Sequence, residues 1–442
     1  MGSAKEPNQG SSRPAPVWLR ISLILAIALI LRLGFAWDYQ RGKPRHALGT
    51  IPFLFEPGNI AYSLAAGKGF SSPFHTETGP TAWMPPVYPL VIAGIFRLFG
   101  LYTYPAFVAA VLLNIACSTL TCLPLFFAGR RIGGAGLGAV AAWLWAIFPN
   151  AILIPFETLR EASLSALLAI TLLWATLRVA ESKRLLHWCW YGVLWGLALM
   201  TNTTLAGLLP FLIGWAAWRG NRKIRLPIDR PALAVVIAML CCVPWATRNY
   251  IVFDSFVPLR TGLGLQLWMG NNEHAEDRTQ GALHPISSQV ERARYVEIGE
   301  IAYMQEKLGE AIRFMVDHPR IEVRWTATRF ITFWSGGSAR PVADFLRVSS
   351  VRFRFVLLFN VLAAVAAGLG LIALWRRNRE CAFPCAVFLV VLPCVSYLTI
   401  ASARYRHPID PVVLLLAAVG VQAVSFRRRG ALQRKLAGDR RS

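Results

Sequence analysis

Charge is scarce in this chain. Only 16% of its 442 residues are Asp, Glu, Lys or Arg, where soluble proteins carry roughly a quarter. Acids are the scarcer sign, with 23 Asp and Glu against 46 Lys and Arg, so the formal charge is +23. The eight cysteines all fall in or beside apolar runs and none in a long polar stretch, so neither a disulfide framework nor a zinc site is indicated. His46, His75, His274, His284 and His318 are scattered without ligand spacing and read as ordinary histidines. No internal repeat or low-complexity tract is evident. The basic excess sits at the ends of hydrophobic runs rather than on a stripe with interleaved aromatics, which excludes a nucleic-acid partner and points to orientation in, and contact with, an anionic bilayer.

Hydrophobic residues, in contrast, make up 55% of the chain and come in long runs without polar faces. About twenty apolar residues span a bilayer, because a helix satisfies its own backbone polar groups. The runs predict an all-α polytopic membrane protein with about ten spans: 17–37, 103–128, 134–150, 155–180, 187–203, 204–218, 231–250, 355–375, 382–402 and 408–426. The stretch 86–100 is too short to cross and reads as a juxtamembrane helix.

With the N-terminus inside, the inner segments are Gly129–Gly133, Glu181–Leu186, Arg219–Arg230, Arg376–Glu380 and the tail from Arg427, and each is basic. The short outer turns Asn150–Pro155 and Thr201–Thr204 carry no Lys or Arg, as the positive-inside rule requires. Both termini are therefore expected in the cytoplasm, with the protein in a bacterial inner membrane. The expected organisation is a polar N-terminal 1–16, a core over 17–250 that includes a first outer loop 38–102, an outer region 251–350, C-terminal spans over 351–426 and a basic tail 427–442. An amphipathic helical pattern near Val290–Val316 and an interfacial aromatic stretch Arg324–Trp334 lie in the outer region.

Chemistry-bearing residues gather on the outer side. Glu56 is the second residue of the string FEPGNIAYSLAAGKGFSSPF (55–74), which reads as a short interfacial helix ended by Gly67 and Gly69. GPTAWMPPVYPLVIAGIFRLFG (79–100) follows. PWATRNYIVFDSFVPLRTGLGLQLWMGNNE (244–273) leaves the seventh span, and SARYRHPIDPVVLLLA (402–417) enters the last. Glu157 and Glu161 stand one helical turn apart with Arg160 between them, on one face of a helix start.

These strings resemble those of GT-C-fold glycosyltransferases, the broad family of protein O-mannosyltransferases and the lipid A aminoarabinose transferase. The resemblance runs from about residue 20 to 420. It implies an inverting transfer of a sugar from a polyprenyl-phosphate donor to a lipid, glycan or protein acceptor outside the membrane. It makes Glu56 the candidate base, although the family more often has Asp, with Asp38 the alternative. Arg248, Arg404 and Arg406 become candidates for the lipid phosphate, with Lys68 and Tyr62 as further donor contacts. Glu157, Glu161, Asn271 and Asn272 become candidates for placing substrate. Trp83-Met84 stands where the aminoarabinose branch has Glu-Lys, which argues against that substrate. No cofactor is expected; oligosaccharyltransferase relatives use a divalent cation, but the mannosyltransferase-like branch is taken as metal-independent.

Two other classes compete. A transporter or lipid flippase tends to place polar residues near the bilayer midplane in paired halves, whereas this chain concentrates charge at helix ends. An O-antigen ligase or polymerase relies on Arg and His rather than a first-loop carboxylate. The topology is directly testable: on a cysteine-free background, a cysteine introduced in 38–102 should react with an impermeant thiol reagent added outside intact cells, and one in 219–230 should not. The reverse pattern would place the candidate base in the cytosol.

Overall fold

The computed structural model describes residues 16–157, 159–275 and 283–423. The expected terminal segments, 1–16 and the tail from 427, lie almost wholly outside these residues. Helix α1 (Val17–Gln40) leads into a short α2 (Arg45–Thr50), then α3 (Glu56–Ala65) and α4 (Val87–Phe99). Helices α5 (Tyr104–Leu120) and α6 (Cys122–Gly133), α7 (Ala135–Ile147) and α8 (Pro149–Glu157) precede α9 (Ala162–Val179) and α10 (Leu185–Leu199). After α11 (Leu209–Ile224) and α12 (Asp229–Phe253), the chain forms α13 (Leu263–Gly270), α14 (Gln289–Ile298), α15 (Glu300–Asp317), α16 (Pro319–Ser335) and α17 (Pro341–Arg347). It closes with α18 (Val351–Arg377), α19 (Arg379–Leu398), α20 (Ala403–Arg406) and a helix α21 over 410–423.

The protein is helical and polytopic. Among the described residues six helical stretches are long and apolar enough to cross a membrane: α1, the continuous α5–α6, α9, α12, α18 and α19. Counting the bent pair α7–α8 as one span makes seven. The expectation of ten exceeds this measure for physical reasons. Helix α10 has only 15 residues, α11 carries Arg219, Arg222 and Lys223 in its last turns, and α21 runs to the edge of the described residues. The amphipathic pattern near 290–316 is two helices rather than one, because Gly299 takes φ +79 between α14 and α15.

The 46° bend between α7 and α8 explains a charge buried among apolar helices. Phe148 precedes a proline and is extended, so α7 stops there and its last carbonyls lose their helical donors. Arg32 of α1, fully buried, donates to Trp145 O and Ala146 O, both at 3.2 Å, and to Ala28 O at 2.9 Å. Its Nε donates to Ser118 Oγ at 2.9 Å. Pro155 has no N–H for the carbonyl one turn earlier; Ser118 Oγ supplies that bond, donating to Ala151 O at 2.8 Å. Asn114 then donates to Pro155 O at 3.2 Å. Side chains from neighbouring helices thus satisfy a broken helix where water cannot.

The segment that links the bundle to its loops is clamped from two sides. Arg248 of α12 donates to Thr81 O and Phe70 O, both at 2.7 Å. Buried Glu300, the first residue of α15, accepts from Ala82 N at 2.9 Å, from Thr81 Oγ1 at 2.5 Å, and from the hydroxyls of Thr261 and Tyr295. These bonds hold Phe70, Phe74, Trp83 and Met84 in one apolar cluster with Leu199 at the end of α10 and with Cys242 and Trp245 of α12.

Removing Arg32 orphans several buried acceptors at once, so Arg32→Leu should lower stability by at least about 2 kcal/mol. Arg32→Lys should fall between, since an ammonium reaches fewer of the four partners. Thermal unfolding of the purified protein in detergent reads this, and an unchanged midpoint in Arg32→Leu would refute the capping role.

Candidate functional site

Glu56 is held by local sequence. It is the first residue of α3, where the helix N-terminus favours a carboxylate, and Pro57 fits the first turn. Gly58 is obligatory for the approach: a Cβ there would lie 2.0 Å from Phe53 O, so any side chain would push α3 off the 51–53 turn. The carboxylate is buried and projects into a cavity of about 590 Å³.

Arg160 and Glu161 enter this cavity from the α8–α9 junction, and Arg260 from the segment after α12. His284 comes from the segment before α14, and Arg404 and Tyr405 from α20. Arg160 Nη1 lies 2.9 Å from Glu56 Oε2, and its guanidinium rests on the Phe55 ring at 4.6 Å. His284 Nε2 lies 3.4 Å from Glu56 Oε1. The His284 Nδ1 accepts from Ile286 N at 3.1 Å, which leaves the proton of the neutral ring on Nε2, facing the carboxylate. Arg404 Nη2 donates to Tyr405 OH at 2.8 Å.

Burial alone would raise the Glu56 pKa. Arg160, then His284, the helix-start backbone and Arg404 outweigh burial and bring it down to about 2. Burial, reinforced by the nearby Arg160 and Arg404, keeps His284 below its ordinary value despite Glu56. For Arg404 burial works downward, but Tyr405, Glu161 and Glu56 win and raise it. Three guanidiniums therefore face Glu56 and Glu161, while Glu157 at the rim is engaged by Arg352. The cavity keeps a positive excess suited to an anion. Among the described residues Glu56 Oε2, though ion-paired, is buried and takes no aligned hydrogen bond.

A recess of about 50 Å³ continues from this cavity, shared through Glu161, Arg260 and Arg404 and lined by Leu392, Val395 and Ser396 of the spanning helix α19. Among the described residues no three His, Cys, Asp or Glu side chains converge as metal ligands.

Of the residues expected from sequence, Glu56, Glu157, Glu161 and Arg404 meet here. Others do not. Arg248 is spent on the carbonyls of Thr81 and Phe70. Arg406 is fully buried, 2.9 Å from Asp410 and donating to Trp334 O at 2.7 Å, and does not line the cavity. Asn271 donates to Leu267 O and Leu398 O and accepts from Arg329, and Asn272 donates to Trp268 O; both hold a turn. Asp38 is exposed near the end of α1. Lys68 and Tyr62 line a different cavity, where Lys68 pairs with Glu77.

Arg260 and His284 were not expected. Arg260 stands inside the 244–273 string, so its neighbourhood was marked but not its role. His284 carries no local signal, because its contact with Glu56 joins residues far apart in sequence.

Residues 84–247 match the family described as dolichyl-phosphate-mannose-protein mannosyltransferase. The undecaprenyl phosphate-alpha-4-amino-4-deoxy-L-arabinose arabinosyl transferase of Pseudomonas paraeruginosa is 36% identical over 80 residues, 18% of this chain and 15% of that protein. The same transferase of Pseudomonas aeruginosa gives the same figures. The matched stretch is thus a small part of these relatives. The oligosaccharyltransferase of Archaeoglobus fulgidus superposes with a TM-score of 0.57 at 13% identity, covering 96% of this chain and 52% of that one. At that identity the likeness is one of fold.

A pH dependence follows from Glu56. Its folded pKa lies below the ordinary 4.5, so it stabilises the fold fully above about 4.5, and that contribution is lost as pH falls towards about 2. Acid unfolding curves should therefore be shallower in this window for Glu56→Gln than for the native protein. Parallel curves would show that Glu56 is not held ionised by its neighbours.

Proposed function

We infer that this chain, whose residues 84–247 match the dolichyl-phosphate-mannose-protein mannosyltransferase family, is an inverting glycosyltransferase that takes sugar from a polyprenyl-phosphate donor. The observation that carries this is one buried carboxylate whose Oε2 takes no aligned hydrogen bond, beside arginines that line both the polar cavity and a recess against a spanning helix. A lipid-linked sugar phosphate has that same division: a tail for the bilayer, an anion at the boundary and a sugar in water.

The reaction is a single displacement. The acceptor hydroxyl attacks the anomeric carbon, the bond from that carbon to the phosphate oxygen breaks, and Glu56 takes the acceptor proton. Polyprenyl phosphate leaves with the bond's electron pair, and Arg404 and Arg260 stabilise its charge. The phosphate also competes with Glu56 for Arg160 and Arg404. As these cations turn to the phosphate, Glu56 loses the groups that depress its pKa and becomes a stronger base where one is needed. His284, neutral and protonated on Nε2, keeps the carboxylate oriented.

In this reading ten spans place the cavity on the outer face of a bacterial inner membrane, with both termini inside and Glu157 and Glu161 flanking the donor sugar. No cofactor is invoked.

Purified protein should transfer labelled sugar from an undecaprenyl-phosphate donor, and Glu56→Gln should slow transfer by about 10²–10⁴-fold without unfolding. Full activity in Glu56→Gln, with loss in Asp38→Asn, would place the base elsewhere. Movement of intact donor across liposomes without transfer would favour a flippase.

A further inference from the structure

A second cavity, of about 570 Å³, lies further along the helix that carries the base. Asn59, Tyr62 and Ser63 of α3 line it, one to two turns beyond Glu56, together with Phe74, His75 and Tyr102. Phe74 is the partition. It is buried, and its ring centroid lies 5.9 Å from His284 and 5.1 Å from Trp83, two residues that line the catalytic cavity. A ligand in the second cavity would thus lie across Phe74 from Trp83 and His284.

The chemistry of the lining is selective. Tyr62 and Tyr102 stack with centroids 5.3 Å apart and planes 18° apart, and amide and hydroxyl groups (Asn59, Ser63, Ser72, Thr76) surround them. The Asn59 amide is fixed by donation to Pro73 O at 3.0 Å. Lys68 and Glu77 neutralise each other, so the cavity offers no net field for a charged ligand. Aromatic rings present a negative face to the slightly positive C–H bonds of a pyranose, and short polar groups bond its hydroxyls. A volume of this size lies in the ordinary range for small-molecule sites.

Backbone strain points to the same place. Ser72 at φ +54 and Tyr102 at φ +53 are two of four non-glycine residues in the left-handed region among the described residues, and both line this cavity. A bulky aromatic is costly in that conformation, and such strain tends to be kept where it serves a site.

We propose that the cavity framed by Asn59, Tyr62, Ser63, Phe74 and Tyr102 is an acceptor subsite that binds a neutral oligosaccharide, delivering its end past Phe74 to the catalytic cavity. Its role as an acceptor subsite rests on the transferase reading above, but saccharide binding itself does not need turnover. Of the acceptors open to this chain, this selects a glycan.

The test is saturation-transfer NMR on the full chain in nanodiscs with mannotriose and cellotriose, alongside a neutral hexapeptide and trigalacturonate. Neutral trisaccharide binding should weaken at least about tenfold in Tyr102→Ala, consistent with loss of one stacking face. It should persist in Tyr102→Phe and in Glu56→Gln. Thr76→Trp, which fills the cavity from an exposed position, should also abolish it and decides the matter if Tyr102→Ala does not fold. No trisaccharide binding to the native chain, binding unchanged in Thr76→Trp, or preference for the peptide or the acidic sugar would each overturn the proposal. Saccharide binding intact in a chain that transfers no sugar would sink the transferase reading and the acceptor role with it, and leave the saccharide site standing.

Discussion

The site depends on the Glu56–Arg160 ion pair, 2.9 Å long and largely shielded from water. A carboxylate buried alone would be protonated and useless as a base; one paired too well would be too weak. Here the pairing is borrowed. Arg160 and Arg404 depress Glu56, and in the proposed reaction an arriving phosphate competes for both guanidiniums. In that proposal, substrate binding and activation of the base become a single electrostatic exchange.

The rest of the fold keeps that exchange in register. Arg160 and Glu161 stand at the junction of α8 and α9, and α8 is aimed by the bend that Arg32, Ser118 and Asn114 stabilise. Trp83 and Met84, on the far wall, hang from the clamp of Arg248 and Glu300. Arg329 ties Asn271 to the end of α19, just before the turn to Arg404. Arginine thus has two uses in this protein. Some guanidiniums spend their donors on backbone carbonyls freed by helix ends and bends. Arg160, Arg260 and Arg404 instead face the cavity.

That division decides how much was legible in the sequence. Apolar runs revealed a helical membrane protein, the short helix at Glu56 and an α4 too short to span were legible in the pattern, and Glu56 and Arg404 share one cavity. Arg248 and Arg406 do not join them, because a guanidinium at a helix end looks the same in sequence whether its target is a phosphate or a carbonyl. Asn271 and Asn272 misled similarly, their amides closing a turn rather than facing the cavity. His284 was passed over because its partnership with Glu56 exists only once the segment before α14 folds against α3. Span counting by apolar length also separates α10 and α11 from the longer helices, since one is short and the other ends in charge.

The exchange of partners at Glu56 has a direct structural readout. In a structure with a polyprenyl phosphate bound, the phosphate should touch Arg404, and the gap between Arg160 and Glu56 should open beyond hydrogen-bond reach from its present 2.9 Å. A phosphate seated on Arg248 or Arg406, with the Glu56–Arg160 contact intact, would contradict the account.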